Sequence, residues 1–162
     1  MEAVAYLYSP LGMVALSGSD AGLHAVRFLD REAPAPTAPT GLATCLQAPH
    51  EQLKAYFGGE LREFDLTCVP TVGTAFQRQV WASLAGIGHG RTASYLDLAK
   101  QLNNPKSVRA VGAANGQNPL AIVWPCHRVI GADGSLTGYA GGLVRKQWLL
   151  DFERPARQGS LF

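Results

Sequence analysis

The sequence lacks the features that would place it in a membrane, outside the cell or among disordered proteins. Of its 162 residues, 47% are hydrophobic and 16% are charged, which is enough apolar material for a core. No apolar run reaches the roughly 18 residues that a membrane-spanning helix needs. The chain opens with Met1-Glu2-Ala3, without the basic start of a secretory signal. We therefore expect a soluble, cytoplasmic protein with no membrane partner.

Cysteine is also scarce. Cys45, Cys68 and Cys126 stand far apart and form no CxxC pair. This argues against a disulfide framework and a thiolate zinc site, and a reducing compartment fits best. We expect Cys45 and Cys68 to be small, inert hydrophobic residues.

Charge is unevenly distributed along the chain, although the formal net charge is only +2. Residues 1–70 carry four Lys or Arg against eight Asp or Glu, whereas residues 71–162 carry ten against four. The C-terminal part therefore has an excess of positive charge. This excess indicates a polyanionic partner or, alternatively, only a device for solubility.

The first third of the chain has the composition of a small sheet. Residues 3–29 predict an antiparallel meander of two or three strands, because β-branched and aromatic residues alternate with good turn chemistry at 9–12 and 19–22. Three prolines then predict a surface loop over residues 31–42.

A short helix is predicted over Pro49–Phe57, with proline near its start and Gly58-Gly59 just past its end. The stretch that follows is acidic and marked by proline. We place a domain boundary near Val69–Gly73, which gives an N-terminal domain over 1–72 and a C-terminal domain over 73–162.

The hydrophobic spacing becomes helical from Thr74, a predicted N-cap, and glycines over 86–90 end this first helix. Ser94 and Asp97 have the spacing of a capping box, which opens a second helix. Its inward residues are predicted to be Leu98, Ala99 and Leu102, and those of the first helix Phe76, Val80, Trp81 and Leu84.

A third helix is predicted from Lys106 to about Asn115, with Pro105 in its first turn. Two short helices joined by a tight turn form the helix-turn-helix pattern, whose second helix commonly lies on DNA. The same pattern also occurs where helices only pack against each other.

Residues 118–130 form an apolar run that contains three consecutive polar side chains, Cys126, His127 and Arg128. A neighbouring positive charge or base favours the thiolate form of a cysteine. Successive residues of a strand face opposite ways, so contact between Cys126 and His127 requires a kink after Pro125 or a bridging water.

These segments resemble the O6-alkylguanine-DNA alkyltransferase family. The likeness is dense over residues 74–153 and looser over 1–70. It is carried by Phe76–Trp81, Thr92–Tyr95, Asn104–Gly112, Asn118-Pro119, the pentapeptide Pro125–Val129, Gly138–Gly142 and Lys146–Leu150, and in the first part by Ser9–Gly12 and Gly22–His24.

The resemblance implies an α/β protein, with an N-terminal ribonuclease-H-like domain followed by a mostly helical, winged-helix-like domain that contains the helix-turn-helix. It implies direct-reversal repair in which an O6-alkylguanine flips out of duplex DNA and transfers its alkyl group irreversibly to Cys126, one molecule per lesion. Activity on O4-alkylthymine is left open.

We expect a monomer without a cofactor. We also expect no bound metal, because Ser19 replaces a ligand cysteine of some members and only His24 remains of the ligand set.

The resemblance also assigns catalytic roles. Cys126 would be the nucleophile, His127 the base acting through a water, and Glu153 the partner that orients the imidazole. The Tyr95 hydroxyl would assist departure of the guanine oxygen, and Asn118 would brace the turn before the nucleophile.

Arg109 resembles the arginine that fills the gap left by the flipped base. Small residues of the same helix, Ala110 and Gly112, would let it lie in the minor groove. Tyr95 is a further expected contact at the DNA base. Candidates for DNA-backbone contacts or local bracing are Asn104, Lys106 and Arg128.

The expected substrate pocket contains five residues, two of which depart from other members: Ala140 replaces a serine and Asn115 a methionine found in some of them. Both departures leave the tolerated alkyl size open. The pocket residues are Asn115, Val129, Tyr139, Ala140 and Gly141.

Two other classes of function stay open at this point. One is a non-catalytic DNA-binding or lesion-recognition module in which Cys126 is only structural. The other is a cysteine hydrolase, for which the sequence has no recognisable oxyanion-hole motif.

Overall fold

The computed structural model describes residues 2–30 and 34–155. The chain forms two compact units, and helices and strands are mixed as the α/β class predicts. The first unit contains the described residues of Met1–Thr74 together with Asn118–Trp124, and the second contains Ala75–Gln117 with the described residues of Pro125–Phe162.

The N-terminal unit contains the predicted meander. Strands β1 (Ala3–Ser9), β2 (Gly12–Ser19) and β3 (Gly22–Phe28) pair antiparallel in the order β1-β2-β3. The second turn depends on Gly22, whose φ is +146° and where a Cβ atom would lie 2.7 Å from the Thr67 carbonyl oxygen. Only glycine fits there without displacing backbone. The buried side chains of the strands include Ala5, Leu7, Val14, Leu16, Leu23 and Val26.

Helix α1 (Thr44–Phe57) packs on this sheet and begins five residues earlier than predicted, so that Pro49 lies inside it. Proline in a helix interior costs roughly 3 kcal/mol, because it removes a hydrogen bond and crowds the preceding turn. Burial offsets this cost, since Leu46, Pro49 and Leu53 lie on one buried face of the helix. The predicted end at Gly58-Gly59 is confirmed.

The predicted loop covers the free edge of the sheet. Thr37 donates its backbone N–H to the Tyr6 carbonyl and accepts the Tyr6 N–H on its hydroxyl, both at 2.9 Å. The only regular element over 34–42 is a 3-10 turn at Pro39–Gly41, and residues 31–33 lie outside the described residues. An edge whose hydrogen-bonding groups are occupied is protected from pairing with another strand.

Residues 118–124 belong to the N-terminal unit, whereas the single boundary near residue 72 would place them in the second domain. The reason is backbone pairing beside β3. Val26 donates to the Pro119 carbonyl at 2.9 Å, and Ala121 donates to the Val26 carbonyl at 3.2 Å. Such long-range pairing leaves no local signal in the sequence.

The second unit contains the predicted helix-turn-helix. A two-residue parallel pairing joins β4 (Ala93–Ser94) to β5 (Val129–Ile130), and the third predicted helix begins at Val108, after a 3-10 turn at Pro105–Ser107. No helix within the described residues is long and apolar enough to cross a membrane. The elements of this unit are α2 (Ala75–Leu84), β4 (Ala93–Ser94), α3 (Tyr95–Gln101), α4 (Val108–Gly116), β5 (Val129–Ile130) and α5 (Leu143–Glu153).

Two local features fix the start of α3 and the position of α4. The Ser94 hydroxyl accepts the Asp97 N–H at 3.0 Å, and the Asp97 carboxylate accepts the Ser94 N–H at 2.9 Å, which confirms the capping box. These hydrogen bonds lower the pKa of Asp97. The buried Trp81 of α2 donates its indole N–H to the Ala114 carbonyl of α4 at 2.8 Å.

We expect Ser94→Ala to lower the free energy of unfolding by about 1 kcal/mol, because it leaves an N-terminal amide of α3 without its acceptor. Urea denaturation measures the effect. Lys100→Ala, an exposed change on the same helix, is the matched control and should stay within about 0.5 kcal/mol of the parent. Equal losses in both variants would contradict the role of the cap.

Candidate active site

Cys126 lies in a tight turn rather than in a strand. Residues Cys126–Arg128 form a 3-10 turn directly after Pro125, closed by the Arg128 N–H donating to the Pro125 carbonyl at 3.0 Å. This turn is a kink after Pro125, one of the two arrangements that contact between the Cys126 and His127 side chains was expected to need. Cys126 is 4% exposed, and the Asn115 side-chain amide donates to its carbonyl at 3.2 Å.

His127 is completely buried and lies against Glu153. Its Nε2 is 2.9 Å from Glu153 Oε2, so the structure brings together the two residues that were predicted to pair. Burial lowers the pKa of His127, and the Glu153 carboxylate opposes this shift. A carboxylate can only accept, so Nε2 carries the proton of the neutral ring and Nδ1 is the free base. Nδ1 is buried and has no hydrogen-bond partner within residues 2–30 and 34–155.

The structure corrects the expectation of a DNA contact for Arg128, which is only 6% exposed. Its Nε and Nη2 donate to Glu153 Oε1 and Oε2 at 2.8 and 2.9 Å, and its Nη1 donates to the Ile87 carbonyl at 2.6 Å. A guanidinium held this way is not available to a phosphate. Bracing of the turn, the alternative role, is what this geometry supports.

Lys146 is a site residue to which sequence reasoning gave no role. It has no exposed surface, its Nζ donates to the Thr137 carbonyl at 2.7 Å, and Nζ lies 5.9 Å from the centre of the Tyr95 ring. Burial lowers the pKa of Lys146, while negative charge on Cys126 raises it. Its cation is therefore electrostatically coupled to the nucleophile. The sequence did contain a sign that Lys146 is buried, because it lies three residues before Leu149 and therefore on the same apolar face of α5.

His89 is a second residue that sequence reasoning missed. Its Nδ1 lies 4.0 Å from Glu153 Oε2, and its side chain is 16% exposed. The surrounding sequence, Gly88-His89-Gly90, indicates only a loop, so no local signal marked this position.

The two tyrosines predicted at the site are both half-buried. The Tyr95 hydroxyl accepts from the Thr137 hydroxyl at 2.9 Å and donates to the Thr137 carbonyl at 3.3 Å. Gly112 of α4 faces the Tyr95 ring, since a Cβ there would be 3.7 Å from it. Burial raises the pKa of Tyr139, and negative charge on Cys126 raises it further, so the Tyr139 phenol is neutral and lies within electrostatic range of the nucleophile.

The predicted pocket residues divide by exposure. Ala140 is exposed and Gly141 is half-buried, so both are available to a ligand. Val129 has no exposed surface and lies in β5, and its place in the pocket stays a prediction. Asn115 is 3% exposed and is held at the Cys126 carbonyl.

Five of the predicted DNA-facing residues lie on one continuous segment of the helix-turn-helix, residues 104–112. Asn104 and Lys106 precede α4, and Arg109 and Ala110 lie in its first turn; all four are exposed. Gly112 is half-buried against Tyr95. The exposed face of α4 therefore offers both positive charge and a small side chain.

Asn118 and His24, which belong to the N-terminal unit, both have satisfied side chains. Asn118 donates to the Trp124 carbonyl at 2.8 Å and accepts the Leu120 N–H at 3.0 Å, which braces the turn that ends two residues before Cys126. His24 Nε2 lies 2.9 Å from the Ser19 hydroxyl, and Nδ1 lies 2.6 Å from the Val69 carbonyl. The absence of a metal stays a prediction.

The fold and site define a two-domain α/β protein with a helix-turn-helix and a cysteine held beside a buried His–Glu pair. Two family models match it. The 6-O-methylguanine DNA methyltransferase ribonuclease-like domain matches residues 4–70, and the DNA binding domain of the same description matches residues 75–155.

Two relatives share the description methylated-DNA–protein-cysteine methyltransferase. The protein from Mycolicibacterium paratuberculosis is 49% identical over 154 residues, which cover 94% of this chain and 93% of the relative. The protein from Methanosarcina acetivorans is 46% identical over 147 residues, which cover 90% of this chain and 94% of the relative.

Solved structures agree with these matches. The Mycobacterium tuberculosis O6-methylguanine methyltransferase has a TM-score of 0.83 at 41% identity, over 100% of this chain and 99% of that one. The Mycobacterium tuberculosis OGT in complex with DNA has a TM-score of 0.82 at 45% identity, over 93% and 92%. The chain therefore belongs to the 6-O-methylguanine DNA methyltransferase family, and the predicted fold class is confirmed.

The buried His127 predicts a specific pH dependence of stability. Its pKa lies below the ordinary value of 6.5 in the folded protein, so below about pH 6.5 the unfolded chain binds a proton that the folded chain does not. The free energy of unfolding should fall as the pH drops from about 6.5 toward the folded pKa. His127→Gln should make this fall shallower, as measured by urea denaturation at several pH values. Parallel curves for parent and variant would contradict the assignment.

Proposed function

We propose that this protein repairs O6-alkylguanine in duplex DNA by transferring the alkyl group to Cys126. The observation that carries the proposal is the arrangement at the turn: a nearly buried cysteine next to an imidazole whose Nε2 faces Glu153 and whose Nδ1 is a free base. In the reaction an S–C bond forms and the C–O6 bond breaks. The thiol proton leaves through His127, and the released guanine takes up a proton.

Activation of the sulfur follows from the charges around it. A water between Cys126 and His127 Nδ1 would carry the thiol proton to the ring, and Glu153 would stabilise the imidazolium through Nε2. The Lys146 cation is coupled to negative charge on Cys126 and so favours the thiolate. An attack on an alkyl carbon needs a soft anionic nucleophile, which a thiolate supplies.

Departure of the guanine oxygen needs a hydrogen-bond donor at the base. The Tyr95 hydroxyl is the family's candidate, and its contacts with Thr137 fix where it lies in the site. Tyr139 is neutral and lies within electrostatic range of Cys126, which suits a wall of the alkyl pocket. Ala140 and Gly141 would complete that pocket.

DNA would dock on the exposed face of α4. Arg109 would enter the stack as the lesion leaves it, which offsets an unstacking cost of a few kcal/mol. Lys106 and Asn104 would contact the backbone, and Ala110 would allow close approach to the minor groove. Little sequence preference should follow, since such contacts detect shape and charge.

The product is a thioether, which is stable, so each molecule acts once. A non-catalytic binding module would not need the Cys126–His127–Glu153 arrangement, and a hydrolase would need an oxyanion hole.

Incubation with duplex DNA containing one O6-methylguanine should add a single methyl group to Cys126 and should stop at one equivalent. Intact-mass and peptide-mass measurements check this. Cys126→Ala should acquire no methyl group. Cys68→Ala is the matched control and should react like the parent, because burial raises the pKa of the Cys68 thiol to about 11 and keeps it protonated. Unchanged mass of the parent protein would refute the proposal.

Arg109→Ala should slow repair of duplex DNA at least tenfold while changing the reaction with the free base O6-methylguanine less than twofold, because the free base needs no extrusion. Single-turnover rates on both substrates measure the difference. Equal losses on both substrates would show that Arg109 acts on the site itself.

A further inference from the structure

Asn115 has a buried side-chain oxygen with no hydrogen-bond partner. The residue lies in the last turn of α4, is 3% exposed, and donates from Nδ2 to the Cys126 carbonyl at 3.2 Å. A carbonyl can only accept, so this contact fixes which end of the amide faces Cys126. Oδ1 is therefore assigned, and it has no hydrogen-bond partner in the part of the chain that the structure describes.

An unsatisfied buried acceptor costs free energy, and a leucine of similar shape would avoid that cost. Nδ2 already braces Cys126, so the bracing role leaves Oδ1 unexplained. Oδ1 shares a carbon with Nδ2 and so lies close to the backbone of the nucleophile. A donor on a ligand held at Cys126 would satisfy it.

The chemistry of the proposed substrate identifies that donor. Alkylation at O6 leaves the guanine ring nitrogen N1 without a proton, so the exocyclic amine supplies the only N–H groups of the lesion base. An O4-alkylated thymine has no N–H donor on its ring. We propose that Asn115 Oδ1 accepts a hydrogen bond from the exocyclic amine of the extruded O6-alkylguanine and so selects this base over alkylated bases without the amine. The inference rests on the proposed alkyl transfer.

The test compares O6-methylguanine with O6-methylhypoxanthine, the same ring without the amine, in otherwise identical duplexes. Single-turnover methylation of Cys126 is followed by intact mass, and the ratio of the two rates is the readout. The parent should prefer O6-methylguanine by about tenfold. Asn115→Leu should reduce this ratio at least threefold, and Asn115→Asp, which retains an acceptor, should keep or raise it.

Each ratio is taken within one variant, so loss of folded or active protein cancels. Glu51→Ala, an exposed change on α1 and away from the proposed DNA face of α4, is the control and should leave the ratio within twofold of the parent. The inference is overturned if Asn115→Leu keeps the parent's ratio, if the parent itself shows no preference, or if Asn115→Asp loses the preference. If Asn115→Leu does not fold, the inference is tested by the rate ratios of the parent and of Asn115→Asp, both of which must favour O6-methylguanine. Failure of the proposed function would appear differently, as no methyl group on Cys126 of the parent.

Discussion

One buried carboxylate organises the second unit. Glu153 is 3% exposed, and its two oxygens accept from Arg128 twice and face His127 Nε2. Burying a charge costs several kcal/mol unless it is paired and hydrogen-bonded, and removing one partner of such a pair typically costs 3–5 kcal/mol. Because Arg128 also donates to the Ile87 carbonyl, this carboxylate fixes the turn that carries Cys126 between α5 and the loop after α2. The same negative charge holds the Nε2 proton of His127 and leaves Nδ1 unprotonated, so structural support and the proposed activation of Cys126 depend on one group.

The buried polar groups near Cys126 differ in whether they have hydrogen-bond partners. Arg128 and Lys146 are buried with good partners, and most buried polar groups in proteins are likewise paired. The exceptions in this region include His127 Nδ1 and Asn115 Oδ1, on or next to the turn of the nucleophile. Unpaired buried groups reduce stability, and they persist where a ligand or water completes them. The two atoms thus mark where a proton carrier and a substrate donor are expected.

Sequence alone predicted the features that depend on local chemistry. The strand turns, the capping box of Ser94 and the glycine stop after α1 follow from residues within a few positions of each other. The early start of α1 and the placement of residues 118–124 depend on burial and on pairing with β3, which local patterns do not encode. In the site, the family likeness gave Cys126, His127 and Glu153, but the partners of Arg128 and Lys146 lie on other segments and became visible only in three dimensions.

On the proposed mode of DNA docking, helix α4 would link recognition to chemistry, because its exposed and its buried residues have different partners. Arg109 and Ala110 are exposed, whereas Ala114 and Asn115 are buried and lie at the other end of the helix. The indole of Trp81 holds the Ala114 carbonyl, and the Asn115 amide holds the Cys126 carbonyl, so the buried end is fixed at two adjacent residues. A nine-residue helix is only about 13 Å long and has no proline to bend it. On the proposed docking of its exposed face on DNA, this one short helix would also hold the turn of Cys126 through the Asn115 amide.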